Sequence, residues 1–364
     1  MNSSITLLAD WLLNSGIQNI SDNEWNGGFN AWYNLDKKEY AYVYSEITGY
    51  GITTLLQLHK LTGRGIFLDR AMLAANWLIN IAMENNYTRA RYYENGFDNT
   101  VYSFDNGMVL FGLANLYRLT QMEKYLDFSV KIADFLLGMQ KSDGLFYSIY
   151  DTGEKKNLNI GDKWSTVSGS YHAKLSLGLL AVHDILNEAK YRKAAIKVCE
   201  ESIKFQKNGR FLTLGNETHL HPHSYSAEGL LYAGLKLDKN RFVESALNAV
   251  VWSLNNQQED GGMPSSYPSD KNERNDVLAQ TLRLGTIFLQ QKDINEKERI
   301  EKLRKRLLES QNLSTEHKGG FFYGFENGKK LNHINSWVSM FALQALIFYD
   351  KYLKKEGVEL DLFV

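Results

Sequence analysis

The sequence has 364 residues, 44% of them hydrophobic, and a formal net charge of −1. Lys and Arg total 41 while Asp and Glu total 42, so the charge balance gives no reason to expect a nucleic-acid or membrane-surface partner, and we predict neither. There are only three prolines, where average usage of about 5% would give roughly 18, and there are 28 glycines. This composition favours long helices joined by glycine turns and argues against an all-β fold.

The single cysteine, Cys199, excludes a disulfide framework and any zinc site built from several thiolates. The N-terminal segment has no basic region before its apolar stretch, and Asp10 interrupts that stretch. No apolar run reaches the length of a membrane-spanning helix. We therefore expect a soluble cytoplasmic protein.

Twelve segments alternate along the chain between two kinds of helix. Six are apolar on most faces, as expected of helices in a buried inner layer, and cover 44–63, 104–120, 168–186, 223–237, 275–291 and 335–353. Six are amphipathic with one charged face, and cover 5–15, 67–82, 124–139, 191–205, 241–256 and 297–310. The alternation predicts one all-α domain over 1–364. Its fold is an (α/α)6 toroid of about twelve helices, six inner and six outer, with the first helix beside the last.

A second repeat consists of glycine-containing turns at 25–29, 140–146, 258–262 and 318–322. Glycine lets the chain leave a helix in a left-handed conformation, and an aromatic residue after it can cover the helix end. We interpret most of these turns as helix stops that carry the chain from the outer ring inward.

The helical hairpins with Q-x-x-D-G turns resemble the broad set of (α/α)6 toroids, which includes six-hairpin glycosidases, unsaturated glucuronyl hydrolases, N-acylglucosamine 2-epimerases and terpenoid cyclase-like toroids. The tracts YSEITGY at 44–50, TTLL at 53–56, FDNG at 104–107 and SGS at 168–170 further resemble toroid proteins encoded among bacterial exopolysaccharide and capsule genes. The architectural resemblance covers nearly the whole chain and the motif resemblance a small part of it. Together they imply a carbohydrate-active protein.

Several activities of toroid proteins do not fit this sequence. Lanthionine cyclases and protein prenyltransferases use zinc sites that contain cysteine, whereas Cys199 lies in the middle of an outer segment. The Asp-rich acid motif of triterpene cyclases is missing. The motifs of glucuronyl hydrolases are not matched, so that family's catalytic pair is not carried over.

In a toroid, the N-termini of the inner helices converge on one mouth, where polar and aromatic residues of this sequence cluster. Glu46 and Asp105 begin consecutive inner segments, and two carboxylates facing one pocket are what glycoside hydrolysis requires. The alternative is that each only caps the free N–H groups of its own helix. The predicted substrate-binding residues at this mouth are Tyr44, Tyr50, Asp98, Trp164, Tyr171, Tyr225, Glu228, Asp276 and Trp337.

The sequence His219-Leu-His221-Pro-His223 would project three histidines to one side of an extended segment. Three histidines of one short strand need a ligand from elsewhere to hold a metal ion, so we predict no metal site. We expect His223 to face the cavity and the other two to lie at the surface. With His172, which has the equivalent place one repeat earlier, His223 would form an acid and base pair suited to epimerisation. The alternative is that both are independent polar residues of the core or surface.

These residues support three hypotheses. The favoured one is a glycoside hydrolase of an acidic or N-acetylated oligosaccharide that uses Glu46 and Asp105, with Arg89, Arg91, Lys163 and Arg274 in the loops available for an acidic group. The second is a sugar epimerase or polysaccharide lyase that uses His172, His223 and a tyrosine. The third is a non-catalytic glycan-binding toroid in polysaccharide biosynthesis. In each case the expected partner is a sugar, no cofactor is expected, and no oligomeric state is indicated.

Overall fold

The computed structural model describes residues 3–268 and 271–364. Twelve α-helices lie in these residues: Ser3–Asn14 (α1), Ser45–Thr62 (α2), Gly65–Trp77 (α3), Ser103–Thr120 (α4), Glu123–Met139 (α5), Ser176–Leu186 (α6), Ala189–Ile203 (α7), Leu220–Leu237 (α8), Asn240–Asn255 (α9), Asn275–Gln291 (α10), Lys297–Glu309 (α11) and Ser336–Leu353 (α12). A π-helical turn, Leu78–Ala82, extends α3, and the 3-10 segments Trp164–Thr166 and Ser170–Leu175 precede α6. None of the helices in the described ranges has the length and apolarity needed to cross a membrane.

The even-numbered helices form the inner ring and the odd-numbered helices the outer ring. Inner helices are buried along most of their length, whereas outer helices such as α5 and α11 bury one stripe and expose charged residues on the other side. Within the inner ring, α2 packs against both α4 and α12, and α1 contacts α12, so the ring closes. The predicted (α/α)6 toroid, with its first helix beside its last inner helix, is confirmed.

Five glutamines, which follow the outer helices α1, α5, α7, α9 and α11, each tie that helix to the next outer helix. Each donates two hydrogen bonds from its side-chain amide, one to a glycine carbonyl of its own loop and one to a carbonyl of the next outer helix. They are Gln18, Gln140, Gln206, Gln257 and Gln311. The glycine turns that we interpreted as helix stops therefore also connect neighbouring repeats.

The last of these glutamine contacts joins the end of the toroid to its beginning. Gln311 donates to the carbonyl of Gly319 at 2.9 Å and to that of Ser4, on α1, at 3.0 Å. Gly319 has a φ of +104°, and a Cβ atom there would lie 2.2 Å from the carbonyl oxygen of Leu7 on the same helix. Only glycine fits this turn, because the loop runs so close to the backbone of α1.

Short strands occupy the long loops that lead from outer to inner helices. In the described residues they are Trp32–Asn34, Glu39–Tyr40, Val43–Tyr44, Met83–Glu84, Tyr87–Thr88, Arg91–Tyr93, Gly96–Phe97, Thr100–Tyr102, Ile149–Asp151, Lys156–Leu158, Gln206–Lys207, Arg210–Phe211, Thr218–His219, Ser266–Tyr267, Glu273–Arg274, Phe321–Phe322, Gly324–Glu326, Lys329–Lys330 and His333–Asn335. The sequence analysis did not predict them, because two or three residues are too few to show an alternating pattern.

Antiparallel pairing of these strands joins loops of neighbouring repeats around the mouth of the toroid, the face where the inner helices begin. Trp32 pairs with Asn335, so the first loop is held to the last one. Tyr44 pairs with Arg91 in the next loop along the ring. The strands thereby fix side chains of different loops around a common opening.

Two inner helices begin differently from the prediction. The segment predicted as one helix over 168–186 starts with 3-10 turns and becomes α-helical only at Ser176. Helix α8 begins at Leu220 rather than at 223. Pro222 is its third residue, where the missing N–H has no intrahelical partner to lose, so the proline lies inside the helix instead of preceding it.

Candidate functional site

The mouth of the toroid contains a cavity of about 180 Å³. Its walls come from the first turns of inner helices and from the strand-containing loops. The lining residues are Tyr44, Glu46, Ile47, Arg91, Tyr102, Phe104, Asp105, Trp164, Ser165, Tyr171, His221, Tyr225, Arg274 and Trp337. A cavity of this size fits a compact ligand such as one sugar ring.

Seven of the residues predicted for the site border this cavity, and six do not. Those that border it are Glu46, Asp105, Tyr44, Trp164, Tyr171, Tyr225 and Trp337. Those that lie behind or beside its lining are His172, His223, Tyr50, Asp98, Glu228 and Asp276. The structure therefore brings the predicted carboxylate pair together and separates the predicted histidine pair from the opening.

Glu46 and Asp105 are the two carboxylates of the cavity. They lie in the first turns of α2 and α4, yet neither accepts a hydrogen bond from a backbone N–H in the described part of the chain. Helix capping therefore does not account for them. The hydroxyl of Tyr44 donates to Asp105 Oδ1 at 3.4 Å, while Asp105 Oδ2 is buried and has no hydrogen-bond partner among the described residues.

The electrostatic surroundings of the two carboxylates differ. Burial raises the pKa of Asp105, and the neighbouring charge of Glu46 raises it further, to well above its usual range. Burial also raises the pKa of Glu46, but the Tyr44 hydroxyl and then the positive charge of Lys174 oppose that rise. Because two such close groups do not both ionise readily, the surroundings favour the proton on Asp105 and the charge on Glu46.

Two arginines border the cavity, each beside a carboxylate. Arg274 holds Asp276 through both oxygens, with Nε donating to Oδ1 at 3.0 Å and Nη2 donating to Oδ2. Although burial raises the pKa of Asp276, the Arg274 guanidinium brings it down to about 2. Arg91 makes a single contact to Asp98, from Nη1 to Oδ2 at 3.3 Å, and lies 5.3 Å from the ring centre of Tyr44. Of the five N–H groups of a guanidinium, Arg91 uses one for Asp98 and Arg274 uses two for Asp276, so both arginines have donors left for a ligand and Arg91 has more.

The structure corrects the predicted placement of His223. Because α8 already includes residues 221 to 223, His221 and His223 lie on a helix, where side chains two residues apart point about 200° apart. His221 borders the cavity, although we expected it at the surface. His223 faces outward against α9, with its Nε2 at 3.2 Å from the Ala249 carbonyl and 3.0 Å from Ser253 Oγ.

His172 also lies away from the cavity, contrary to the expectation of a pair across the funnel. It is fully buried in the 3-10 turns before α6, with its Nε2 at 3.4 Å from Ser103 Oγ. Its ring packs against Tyr171, with ring centres 4.2 Å apart. Burial lowers the pKa of His172 to about 3, so the side chain is neutral at physiological pH.

His221 is the histidine that the sequence analysis missed for this site. Its Nδ1 lies 2.8 Å from Gln280 Oε1 and 3.4 Å from Asp276 Oδ2. Burial lowers the pKa of His221 to about 4, although the charge of Asp276 opposes this. A helical rather than extended interpretation of 219–223 would have placed it on the cavity side.

A group of buried charges lies beneath the cavity. Glu228, predicted to bind substrate, is fully buried between Lys174, whose Nζ is 2.8 Å from Oε2, and Arg283. Burial lowers the pKa of Lys174 to about 8. Tyr50 also lies in this layer, where its hydroxyl donates to that of Tyr225 at 3.2 Å. The sequence analysis predicted none of these contacts.

Aromatic rings continue from the cavity to the protein surface. Trp337 lines the cavity and donates from Nε1 to Asp276 Oδ2 at 3.0 Å. Its ring centre is 6.4 Å from that of Trp32, which is 5.4 Å from Tyr42, which in turn is 5.1 Å from Tyr93. Tyr93 is 41% exposed. We call these four rings the aromatic track.

No protein-family model and no curated protein sequence matches this chain. Solved structures do match it in fold. A cellobiose 2-epimerase from Bacillus thermoamylovorans has 12% identity and a TM-score of 0.77, covering 96% of this chain and 100% of its own. A D-mannose isomerase has 11% identity and a TM-score of 0.77, covering 97% and 96%.

An unsaturated glucuronyl hydrolase specific for heparin has 14% identity and a TM-score of 0.74, covering 96% of this chain and 97% of its own. All three similarities extend over almost the entire length of both chains, at identities that establish the fold alone. The chain therefore has the (α/α)6 fold of six-hairpin glycosidase-like proteins.

Proposed function

We propose that this protein is a carbohydrate-active enzyme that hydrolyses a glycosidic bond, with Asp105 as the general acid and Glu46 as the base or nucleophile. The observation that carries the proposal is the carboxylate pair in one cavity, with a buried Asp105 oxygen that has no partner in the described part of the chain. The sugar-processing names of the structural neighbours support it by analogy.

In this proposal the two carboxyl groups have different catalytic roles because they differ in protonation state. Asp105, whose pKa burial raises well above its usual range, donates its proton to the oxygen of the leaving group. Glu46, beside the positive charge of Lys174, either attacks the anomeric carbon or removes a proton from an attacking water. Trp164 and Trp337 border the same cavity and supply the aromatic rings that sugar binding uses.

For the substrate, we favour a sugar that carries an acidic group near Arg91. Arg91 borders the cavity and donates one hydrogen bond to Asp98, so its remaining N–H groups can bind a carboxylate or sulfate. Arg274 is held through two of its donors by Asp276 and is the weaker candidate. An N-acetylated neutral sugar is the alternative. Comparing uronate-containing with neutral oligosaccharides on wild type and Arg91→Met separates these two substrates.

Carboxamide variants test the proposed reaction. Asp105→Asn and Glu46→Gln should each lower kcat by about 100- to 10,000-fold on any oligosaccharide that the wild type cleaves, because each removes a proton-transfer group at nearly constant volume. Glu94→Gln, an exposed carboxylate on the loop that follows the 91–93 strand, is the matched control and should retain wild-type turnover. Full turnover in both site variants would contradict the proposal.

A second candidate function is epimerisation of a sugar, which the position of His221 on the cavity favours. Removal of a C–H proton by a histidine exchanges that hydrogen with solvent, whereas hydrolysis leaves the ring C–H bonds intact. Deuterium on a ring carbon of sugar recovered from heavy water, together with activity retained in the carboxamide variants, would identify this reaction. Binding with neither cleavage nor exchange would identify a glycan-binding toroid.

A further inference from the structure

A chain of buried hydrogen bonds leads from the charged layer to the cavity. Glu228 Oε1 accepts from Gln280 Nε2 at 3.1 Å and from Arg283. Gln280 Oε1 lies 2.8 Å from His221 Nδ1. Glu228 and Gln280 are fully buried and His221 is 5% exposed, so water has little access to these contacts. We call the Glu228–Gln280–His221 series the relay.

The chemistry of Glu228 decides how the Gln280 amide is oriented. Lys174 and Arg283 both lie against this carboxylate and favour its ionised form. An ionised carboxylate only accepts hydrogen bonds, so the amide must turn its NH₂ group toward Glu228. The amide oxygen of Gln280 then faces His221.

That oxygen in turn decides which nitrogen of His221 carries the proton. An amide oxygen only accepts, so His221 Nδ1 must be the donor in the 2.8 Å contact. Asp276 Oδ2, at 3.4 Å from the same nitrogen, is also an acceptor. In the neutral ring, Nε2 is then unprotonated. It has no hydrogen-bond partner within residues 3–268 and 271–364, and the ring borders the cavity.

We propose that Glu228 and Gln280 are positioning residues that hold His221 as its Nδ1–H tautomer, so that Nε2 offers the cavity a hydrogen-bond acceptor for a substrate hydroxyl. The substrate part of this statement rests on the proposed function, whereas the tautomer does not. The positioning role of Glu228 also explains why three ionisable side chains are buried together beneath the cavity without contacting it. Lys174 and Arg283 balance Glu228, and Glu228 orients the amide.

His223 provides an internal comparison on the same helix. Its Nδ1 accepts from the backbone N–H of Phe211 at 3.1 Å, and its Nε2 therefore carries the proton that faces the Ala249 carbonyl and Ser253 Oγ. The two histidines, only two residues apart, should thus be opposite tautomers.

Nitrogen-15 NMR of the histidine side chains tests the tautomers directly, at neutral pH and on the full-length protein. The wild type should show His221 protonated on Nδ1 and His223 protonated on Nε2, with the signals assigned by their loss in His221→Gln and His223→Gln. In Gln280→Met, His221 should shift toward a mixture of tautomers while His223 stays unchanged. Glu228→Gln, which frees the amide to flip, should give a smaller shift in the same direction.

Three results would overturn the relay. An Nε2-protonated His221 in the wild type would do so, even if every variant failed to fold. An unchanged Nδ1–H tautomer in folded Gln280→Met would show that Asp276 alone orients the ring. A positively charged His221 would remove the acceptor from the cavity altogether.

The acceptor role is tested by calorimetric binding of cellobiose, chitobiose and unsaturated heparin disaccharide. His221→Phe should lose at least about tenfold in affinity for whichever sugar the wild type binds, and His221→Gln, which keeps a polar atom near the Nε2 position, should recover part of it. Equal affinity in His221→Phe would overturn the acceptor role, with the roles of Glu46 and Asp105 untouched. If the wild type binds none of the three sugars, that result contradicts the proposed substrate class, and the NMR measurement still tests the relay.

Discussion

The contact between Gln311 and α1 should stabilise the closed ring measurably. Gln311→Leu removes both amide hydrogen bonds at nearly constant size, so the buried Gly319 carbonyl loses its donor and the half-buried Ser4 carbonyl loses the contact from Gln311. Stranding a buried carbonyl costs about 1–3 kcal/mol, and losing a partly exposed hydrogen bond costs about 0.5–1.5 kcal/mol. We therefore expect the free energy of unfolding to fall by about 2–4 kcal/mol.

Thermal and urea unfolding, followed by tryptophan fluorescence, measure this loss. With an unfolding entropy of about 2.1 cal/mol/K per residue, each kcal/mol lowers the Tm of a 364-residue domain by about 1.3 °C, so Tm should fall by about 3–5 °C. Gln291→Leu, an exposed glutamine at the end of α10, is the matched control and should change Tm by less than about 1 °C. A Gln311→Leu variant as stable as this control would refute the idea that the glutamine contact closes the ring.

Three further predictions concern the cavity. Asp105→Asn should raise Tm at neutral pH even though we expect it to lower kcat. Because burial and Glu46 raise the folded pKa of Asp105, its carboxyl group costs stability as pH rises above the unfolded value of about 4, and the gain in the variant should grow with pH above that value. Trp337→Ala should weaken glycan binding at least about tenfold while lowering Tm by less than about 5 °C, since the ring borders the cavity. A much larger fall in Tm would instead show that Trp337 is a core residue. Tyr93→Ala should reduce binding of hexasaccharides but not of disaccharides, as measured by calorimetry. The control is Tyr267→Ala, which changes an exposed tyrosine outside the aromatic track and should affect neither. Equal losses for both lengths in Tyr93→Ala would contradict a role of the track in binding longer chains.

The toroid was predictable because its signal is spread over whole helices. An inner helix such as α4 is apolar on nearly every face, and an outer one such as α5 on a single stripe, so each type shows over several turns. The position of Glu46 and Asp105 at one cavity was predictable for a related reason, since each lies in the first turn of an inner helix and the fold brings these turns together.

Details that depend on one turn or on distant partners were not predictable. The side-chain direction of His221 changes completely between extended and helical backbone, and the start of α8 had been placed after Pro222. Three of the buried residues, Glu228, Gln280 and Arg283, are isolated polar residues within apolar segments of the sequence. Their contacts join residues that are 52 and 55 positions apart in the chain. Only the closed ring shows that these side chains satisfy one another.

The charges around the cavity indicate why one of its two carboxylates should carry a proton. Opposite charges cancel in three groups: Arg274 with Asp276, Arg91 with Asp98, and Lys174 and Arg283 with Glu228 and Glu46. Asp105 forms no ion pair with any described residue, and the charge of Arg91 lowers its pKa less than burial and the charge of Glu46 raise it, so ionisation of Asp105 would leave a poorly compensated charge at a site that is 3% exposed. Such a charge costs several kcal/mol in a buried setting, and taking up a proton avoids that cost. The same arrangement that balances the buried layer therefore favours the proton on Asp105 over Glu46, which agrees with the role of general acid that we propose for Asp105.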